Sequence, residues 1–202
     1  MKLYSYVIPR DYGFAPNPFH GYCTLATCKP ITRRVAQVND WIAAFGSRHR
    51  STEEKLVCLM RVDETLTFDE YWNDPRFKLK RPVFNKSMTR KYGDNIYHHV
   101  NGAWVQEPSH HSFRDGMNLT NLDRDTKTDR VLIAEEFYYF GGDAILLPTE
   151  YQSLVWHSRN HGVSHDSARI ESFVNYIRGQ YSSGIHGLPF SRRPGKFDLY
   201  RG

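Results

Sequence analysis

The chain has 202 residues, 40% of them apolar, 24% charged and 14% aromatic, which excludes a disordered tail, a coiled coil and a collagen-like rod. A globule of this length buries about 70% of its unfolded surface and needs no covalent staple. Twenty-seven Lys and Arg against 22 Asp and Glu leave a net charge of +5, which favours a polyanionic partner.

Residues 2–8 read as a strand ended by Pro9. Residues 9–30 carry four prolines with Gly13 and Gly21, a pattern that argues for a long irregular loop. A short helix is expected over 31–36, a turn at 38–40 and a buried strand over 41–45. Residues 56–67 read as one strand region, followed by a short helix over 68–72, while 74–94 are basic and irregular. Asn101-Gly102 between two β-prone runs predicts a hairpin over 96–105, because that pair accepts the positive φ angles of a type I′ turn. Residues 106–130 read as polar loop and 131–140 as one strand. The apolar spacing of Ile170, Phe173, Val174 and Ile177 predicts a helix over 167–181. The pattern as a whole predicts an α+β fold: a single domain over 1–202, with a twisted mixed or antiparallel sheet and a few short helices.

Three cysteines, Cys23, Cys28 and Cys58, cannot all pair, and no apolar run approaches the roughly 18 residues that span a bilayer. The expectation is a cytoplasmic protein with no membrane partner. Cys23 and Cys28 lack a second pair at zinc-site spacing, so inert thiols are expected; a mixed site with His110 or His111 stays open. No metal and no cofactor are expected. Phosphate-cradling, dinucleotide-binding, serine-hydrolase and zinc-deaminase motifs are all absent.

Three features bear on chemistry. The stiff loop Asp11-Tyr12-Gly13-Phe14-Ala15-Pro16-Asn17-Pro18-Phe19 sets a carboxylate beside aromatic rings, which suits either a flat ligand or a self-capped structural turn. The run Ser109-His110-His111-Ser112, with Asp115 nearby, offers acid–base groups. Short basic clusters hold Arg33, Arg34, Arg48, Arg50, Lys80, Arg81, Arg90 and Lys91, all candidate phosphate contacts.

The strings DYGFAPNPF and TLATCKP, with VNDWIAAFGS, YGDNIYHH, SHHS, FYYFGG and GIHGLPF, resemble the nucleotide modification associated domain, type 2, over nearly the whole chain. Asn39-Asp40-Trp41 stands where the family pattern has Gly-Asp-Trp. The resemblance implies systems that make, read or remove modified DNA bases, including anti-phage DNA glycosylases that excise hypermodified cytosines. DNA carrying modified bases is then the expected partner. A fainter similarity of 38–47 and 56–72 to PUA-like domains implies a small barrel around a flipped base. On that reading Asp11 stabilises charge on the deoxyribose, Asn17 orients water or base, and His110 or His111, steered by Asp115, protonates the departing base. Tyr4, Tyr6, Phe14, Phe19, Tyr97 and Trp104 would stack on the base, and Lys29 would be a Schiff-base candidate. A non-catalytic reader of modified bases, or an enzyme acting on free nucleotides, uses much the same residue types.

Overall fold

The computed structural model describes residues 1–47, 52–158 and 160–199. Arg48 and Arg50 lie outside these. Its strands are β1 (Leu3–Ile8), β2 (Cys23–Leu25), β3 (Trp41–Gly46), β4 (Leu56–Arg61), β5 (Glu64–Leu66), β6 (Tyr97–Val100), β7 (Ala103–Gln106), β8 (Val131–Ala134), β9 (Phe137–Tyr139), β10 (His161–Ser164) and β11 (Gly184–Ile185). Its α-helices are α1 (Pro30–Val35), α2 (Phe68–Asn73), α3 (Met88–Lys91), α4 (Leu119–Thr126) and α5 (Ser167–Gln180). No helix among the described residues is long and apolar enough to cross a membrane.

Six strands pair in the order β10-β1-β3-β4-β9-β11, with β1 parallel to β3 and β9 parallel to β11. A second sheet, β2-β8-β5, lies against it, and β6-β7 form a separate hairpin. The class is α+β, as expected, but β10 and β11 end the large sheet without pairing to each other, so no closed barrel forms among the described residues.

Side-chain alternation builds the layers. Leu3, Trp41, Ala43 and Phe45 point to one face of the large sheet, where Ile170, Phe173, Val174 and Ile177 of α5 cover them. Each of those four helix side chains contributes about 1.5–3 kcal/mol by leaving water. Tyr4, Tyr6, Ile8, Ile42 and Ala44 point to the opposite face and meet Cys23, Leu25, Leu132 and Ala134 of the small sheet. A third cluster, with Phe14, Phe68, Tyr71, Tyr92, Tyr97 and Leu122, packs beyond that sheet.

Two segments expected as single strands each divide between the sheets. Residues 56–66 pass from β4 to β5, and 131–139 from β8 to β9. Asp63 holds both corners: its carboxylate accepts the backbone N–H groups of Glu135 (2.7 Å) and Glu136 (3.1 Å) and the Nε of Arg61. The 9–30 segment contains β2, and the 106–130 segment contains α4, capped by the Asn118 side chain. The basic 74–94 stretch holds a 3-10 helix, Pro75–Lys80, and α3. The hairpin turn at Asn101 (φ 51°) and Gly102 (φ 77°) has the expected left-handed pair.

Candidate active site

A cavity of about 500 Å³ opens where the end of β1, the proline loop, the start of α1 and the Ser109–Ser112 turn converge. Tyr6, Tyr12 and Phe14 give it aromatic walls; Arg10, Lys29, Cys28, His110, His111 and Arg124 line the rest.

Cys28 and Lys29 both adopt left-handed backbone, at φ 58° and 42°. For residues with a Cβ this conformation costs about 1–2 kcal/mol each. It is held on both sides. The Cys28 N–H donates to Asp125 Oδ1 at 3.0 Å, and the Cys28 carbonyl accepts Arg33 Nε at 3.0 Å. The thiol is thereby turned to the cavity at the mouth of α1.

Cys28 Sγ lies 3.7 Å from His111 Nε2, and His111 Nδ1 lies 2.9 Å from Asp125 Oδ2. The same Asp125 oxygen accepts the Tyr97 hydroxyl at 2.9 Å, while Oδ1 also accepts Arg124 Nε at 3.1 Å. The His111 carbonyl is fixed by Gln106 Nε2 (3.2 Å) from β7 and Asn121 Nδ2 (2.9 Å) from α4. Thus three elements far apart in sequence form one line: sulfur, imidazole, carboxylate.

Electrostatics sharpen this order. Burial alone would lower His111, but the Cys28 sulfur and the Asp125 carboxylate overcome it and push its pKa up to about 9. Burial would raise Asp125, yet hydrogen bonds and charge from His111 and Arg124 hold it at about 2. The neighbouring His110 is driven the other way, to about 3, by burial and the His111 charge. Its Nδ1 faces the Asp198 carbonyl, an acceptor only, so that nitrogen carries the proton. At neutral pH one histidine is therefore cationic and the other neutral.

Cys28, His111 and Asp125 also form a group whose atoms could hold a metal ion. Here Asp125 is hydrogen-bonded to the far nitrogen of the His111 ring, the arrangement that orients an imidazole toward a thiol.

Several expected site residues have other places. Asp11 is buried; its carboxylate accepts the Tyr139 hydroxyl and the Gly13 N–H (2.8 Å), and burial raises its pKa against those bonds. It does not line the cavity, although its neighbours Tyr12 and Phe14 do. Asn17 is buried and bonded to Tyr92, Phe19 and Lys80. Asp115 is exposed on another face, and Asp125 occupies the histidine-orienting position expected of it. Tyr6, Phe14 and Lys29 do line the cavity. Tyr97 serves Asp125; Tyr4 lies in the core, its hydroxyl donating to the Val35 carbonyl. Phe19 faces Tyr139 and Arg192, and Trp104 packs on His99 and Phe68 of the hairpin side.

Among the phosphate candidates, Arg33 and Lys80 are fully buried and correct the expectation. Arg33 donates to the carbonyls of Cys28, Thr128, Arg130 and Asp125, and Lys80 to Asn17 and Tyr22. Lys80 has all three ammonium protons engaged, and Arg33, with four of its five N–H groups on carbonyls, is buried out of reach of a solvent-side phosphate. Arg34 is exposed; Arg81, partly covered, lies over the Trp72 ring; Arg90 and Lys91 are half-buried on α3. Cys23 is buried against Met60, away from the line that Cys28 enters.

The family described as nucleotide modification associated domain 2 matches residues 1–195. The chain belongs to that family. No curated protein and no solved structure gives a significant match. The family gives the chain a nucleotide modification-associated role, and association with nucleic acid is consistent with that and with its excess of positive charge.

Sequence reading left a mixed site of Cys28 with His110 or His111 open but missed Asp125 and the thiol–imidazole–carboxylate line, whose members lie 83 and 97 residues from Cys28. The buried stripe of α4 carries Asn121, Leu122 and Asp125, two of them polar, so apolar periodicity could not reveal it. The signal that was present is TLATCKP itself, a cysteine and lysine between a strand-forming run and Pro30.

Proposed function

We propose that this chain is an enzyme that acts on a modified nucleotide of DNA by covalent catalysis from Cys28. The observation that carries the reading is the Cys28–His111–Asp125 line at the wall of an aromatic, nucleotide-sized cavity. The nucleotide is drawn into the cavity, its base against Tyr6, Tyr12 and Phe14. The Cys28 thiolate forms a carbon–sulfur bond to an electrophilic carbon of the substrate. The bond from that carbon to its leaving group breaks, the leaving group takes the electron pair, and the His111 Nε2 proton goes to it. Water then attacks the same carbon, its proton returns to His111, and the thiolate departs. Asp125 keeps the ring turned throughout and stabilises its cationic form.

Excision of a hypermodified base is the case in which the carbon is C1′ and the leaving group is the base. Cys28 then takes the place beneath the sugar that Asp11 was expected to fill, and His111 supplies the proton. The rest of the family reading, anti-phage defence, follows from the substrate.

The test is to incubate the chain with hypermodified phage DNA, with unmodified DNA and with free nucleotides. Released base and alkali-labile abasic sites, lost in Cys28→Ser and His111→Gln, support excision. An altered nucleotide without abasic sites supports the same thiol chemistry at the base. Tight binding to modified DNA with no product of either kind overturns the enzyme reading in favour of a reader. Full activity in Cys28→Ala overturns the thiol.

A further inference from the structure

The cavity contains an imbalance that the thiol chemistry does not use. Among the described residues no Asp or Glu lines it, while Arg10, Lys29 and Arg124 do. Arg124 donates to Asp125. Neither Arg10 nor Lys29 forms an ion pair among the described residues, in contrast to Arg61, Arg76, Arg178 and Arg193, each of which reaches a carboxylate within 3 Å. Among the described residues, the Lys29 ammonium donates to the Val7 carbonyl, at 3.3 Å, and lies over the Tyr6 ring, 4.5 Å from its centroid.

Lys29 is also costly where it stands. It takes left-handed backbone at φ 42°, and its side chain is partly withdrawn from water. A half-buried cation with no carboxylate to pair with is unfavourable, and an anion arriving beside it recovers that cost. Tyr12, which forms the facing wall, is braced by a stacked Tyr92 ring at 5.1 Å. The cavity is therefore lined by cations and aromatic rings, with a thiol and no carboxylate among the described lining residues.

We infer that Arg10 and Lys29 form a phosphate subsite, which holds the phosphate of the nucleotide whose reactive carbon faces Cys28. This rests on the reading of the cavity as a nucleotide site and adds the group by which it is recognised. The phosphate has two sources with the same chemistry: a free nucleoside monophosphate, or the phosphodiester of an extruded nucleotide in DNA.

The experiment follows Cys28 alkylation by iodoacetamide, by mass spectrometry of the whole chain, with inorganic phosphate, deoxycytidine, dCMP or a single-stranded oligonucleotide as protectant. Cys23 and Cys58 are fully buried and serve as internal controls. Phosphate is expected to slow alkylation beyond chloride at equal ionic strength, and dCMP to protect at about tenfold lower concentration than deoxycytidine, as charge-assisted bonds to phosphate require. Lys29→Gln and Arg10→Gln should each weaken protection by dCMP about fivefold or more. Stronger protection by dCMP than by the oligonucleotide assigns the subsite to free nucleotides, and the reverse assigns it to DNA; both support it. Equal protection by deoxycytidine and dCMP, or undiminished protection in the double variant, overturns it. Calorimetric titration with dCMP makes the same comparison without the thiol, so an inert Cys28 would sink the catalytic reading and leave this one standing or falling by itself.

Discussion

Two buried polar clusters in this molecule look equally chemical by composition and differ in one respect. The first is Cys28, His111 and Asp125. The second gathers Lys80, Asp94, Asn17, Thr24 and Tyr71, with Thr24 Oγ1 2.6 Å and the Tyr71 hydroxyl 2.9 Å from the Asp94 carboxylate. Burial lowers Lys80 to about 8 and raises Asp94 to about 6, each partly offset by the other's charge. Both clusters are thus strongly perturbed. The second, however, spends all three Lys80 protons on Asn17 and Tyr22 and has no residue on the cavity wall that Cys28 and His111 line. Perturbed ionisation marks burial; access to a cavity marks a site.

The comparison can be broken by exchanging the roles of the two clusters. Cys28→Ala should remove turnover on modified DNA by about 10³-fold or more while leaving the thermal midpoint within a few degrees, since the thiol is half-exposed and its backbone bonds persist. Lys80→Met should do the opposite. It should cost about 3–5 kcal/mol in urea unfolding by orphaning buried acceptors and leaving Asp94 without its cation. The fraction still folded should alkylate Cys28 at the parental rate. A Lys80 variant that is stable yet inactive would mean that the closed cluster is the working one.

A smaller effect separates them by pH. His111 titrates higher folded than unfolded, so it adds stability in full below about pH 6.5, and this is lost as pH rises through about 9. The expected loss is on the order of 3 kcal/mol, read from urea midpoints at pH 6, 7.5 and 9.5. His111→Gln should flatten this limb; an unchanged slope would place the proton uptake elsewhere. The smallest effects belong to the acids first expected at the site. Asp11→Asn keeps an acceptor for the Gly13 N–H and should cost about 1 kcal/mol with activity within a few-fold of the parent. Asp115→Asn, at an exposed position, should change stability by less than about 0.5 kcal/mol. Loss of base release in Asp11→Asn, with Cys28→Ala still active, would return the catalytic role to the carboxylate.

Much of the scaffold was legible in the chain itself. The β-prone apolar runs over 2–8 and 41–45, the four apolar residues of α5 and the Asn101-Gly102 turn all act through neighbours a few residues away, and the structure carries each of them. The rest depended on distant partners. Nothing local distinguishes one strand over 131–140 from two strands that change sheets at Glu135, because the bend is fixed by Asp63 from another segment. Arg33 and Lys80 resemble surface cations in sequence, since only the folded chain supplies the carbonyls that make their burial tolerable.

The amino-acid order by itself determined the α+β class, the family and the neighbourhood of the cavity, through the proline loop, the TLATCKP run and the paired histidines. Tertiary structure alone decided which acid meets which histidine and which thiol meets both. Short-range patterning records how a segment buries its own surface. A hydrogen bond between groups 83 residues apart has no periodicity to betray it, and arises only when sheet, loop and helix are brought to one wall.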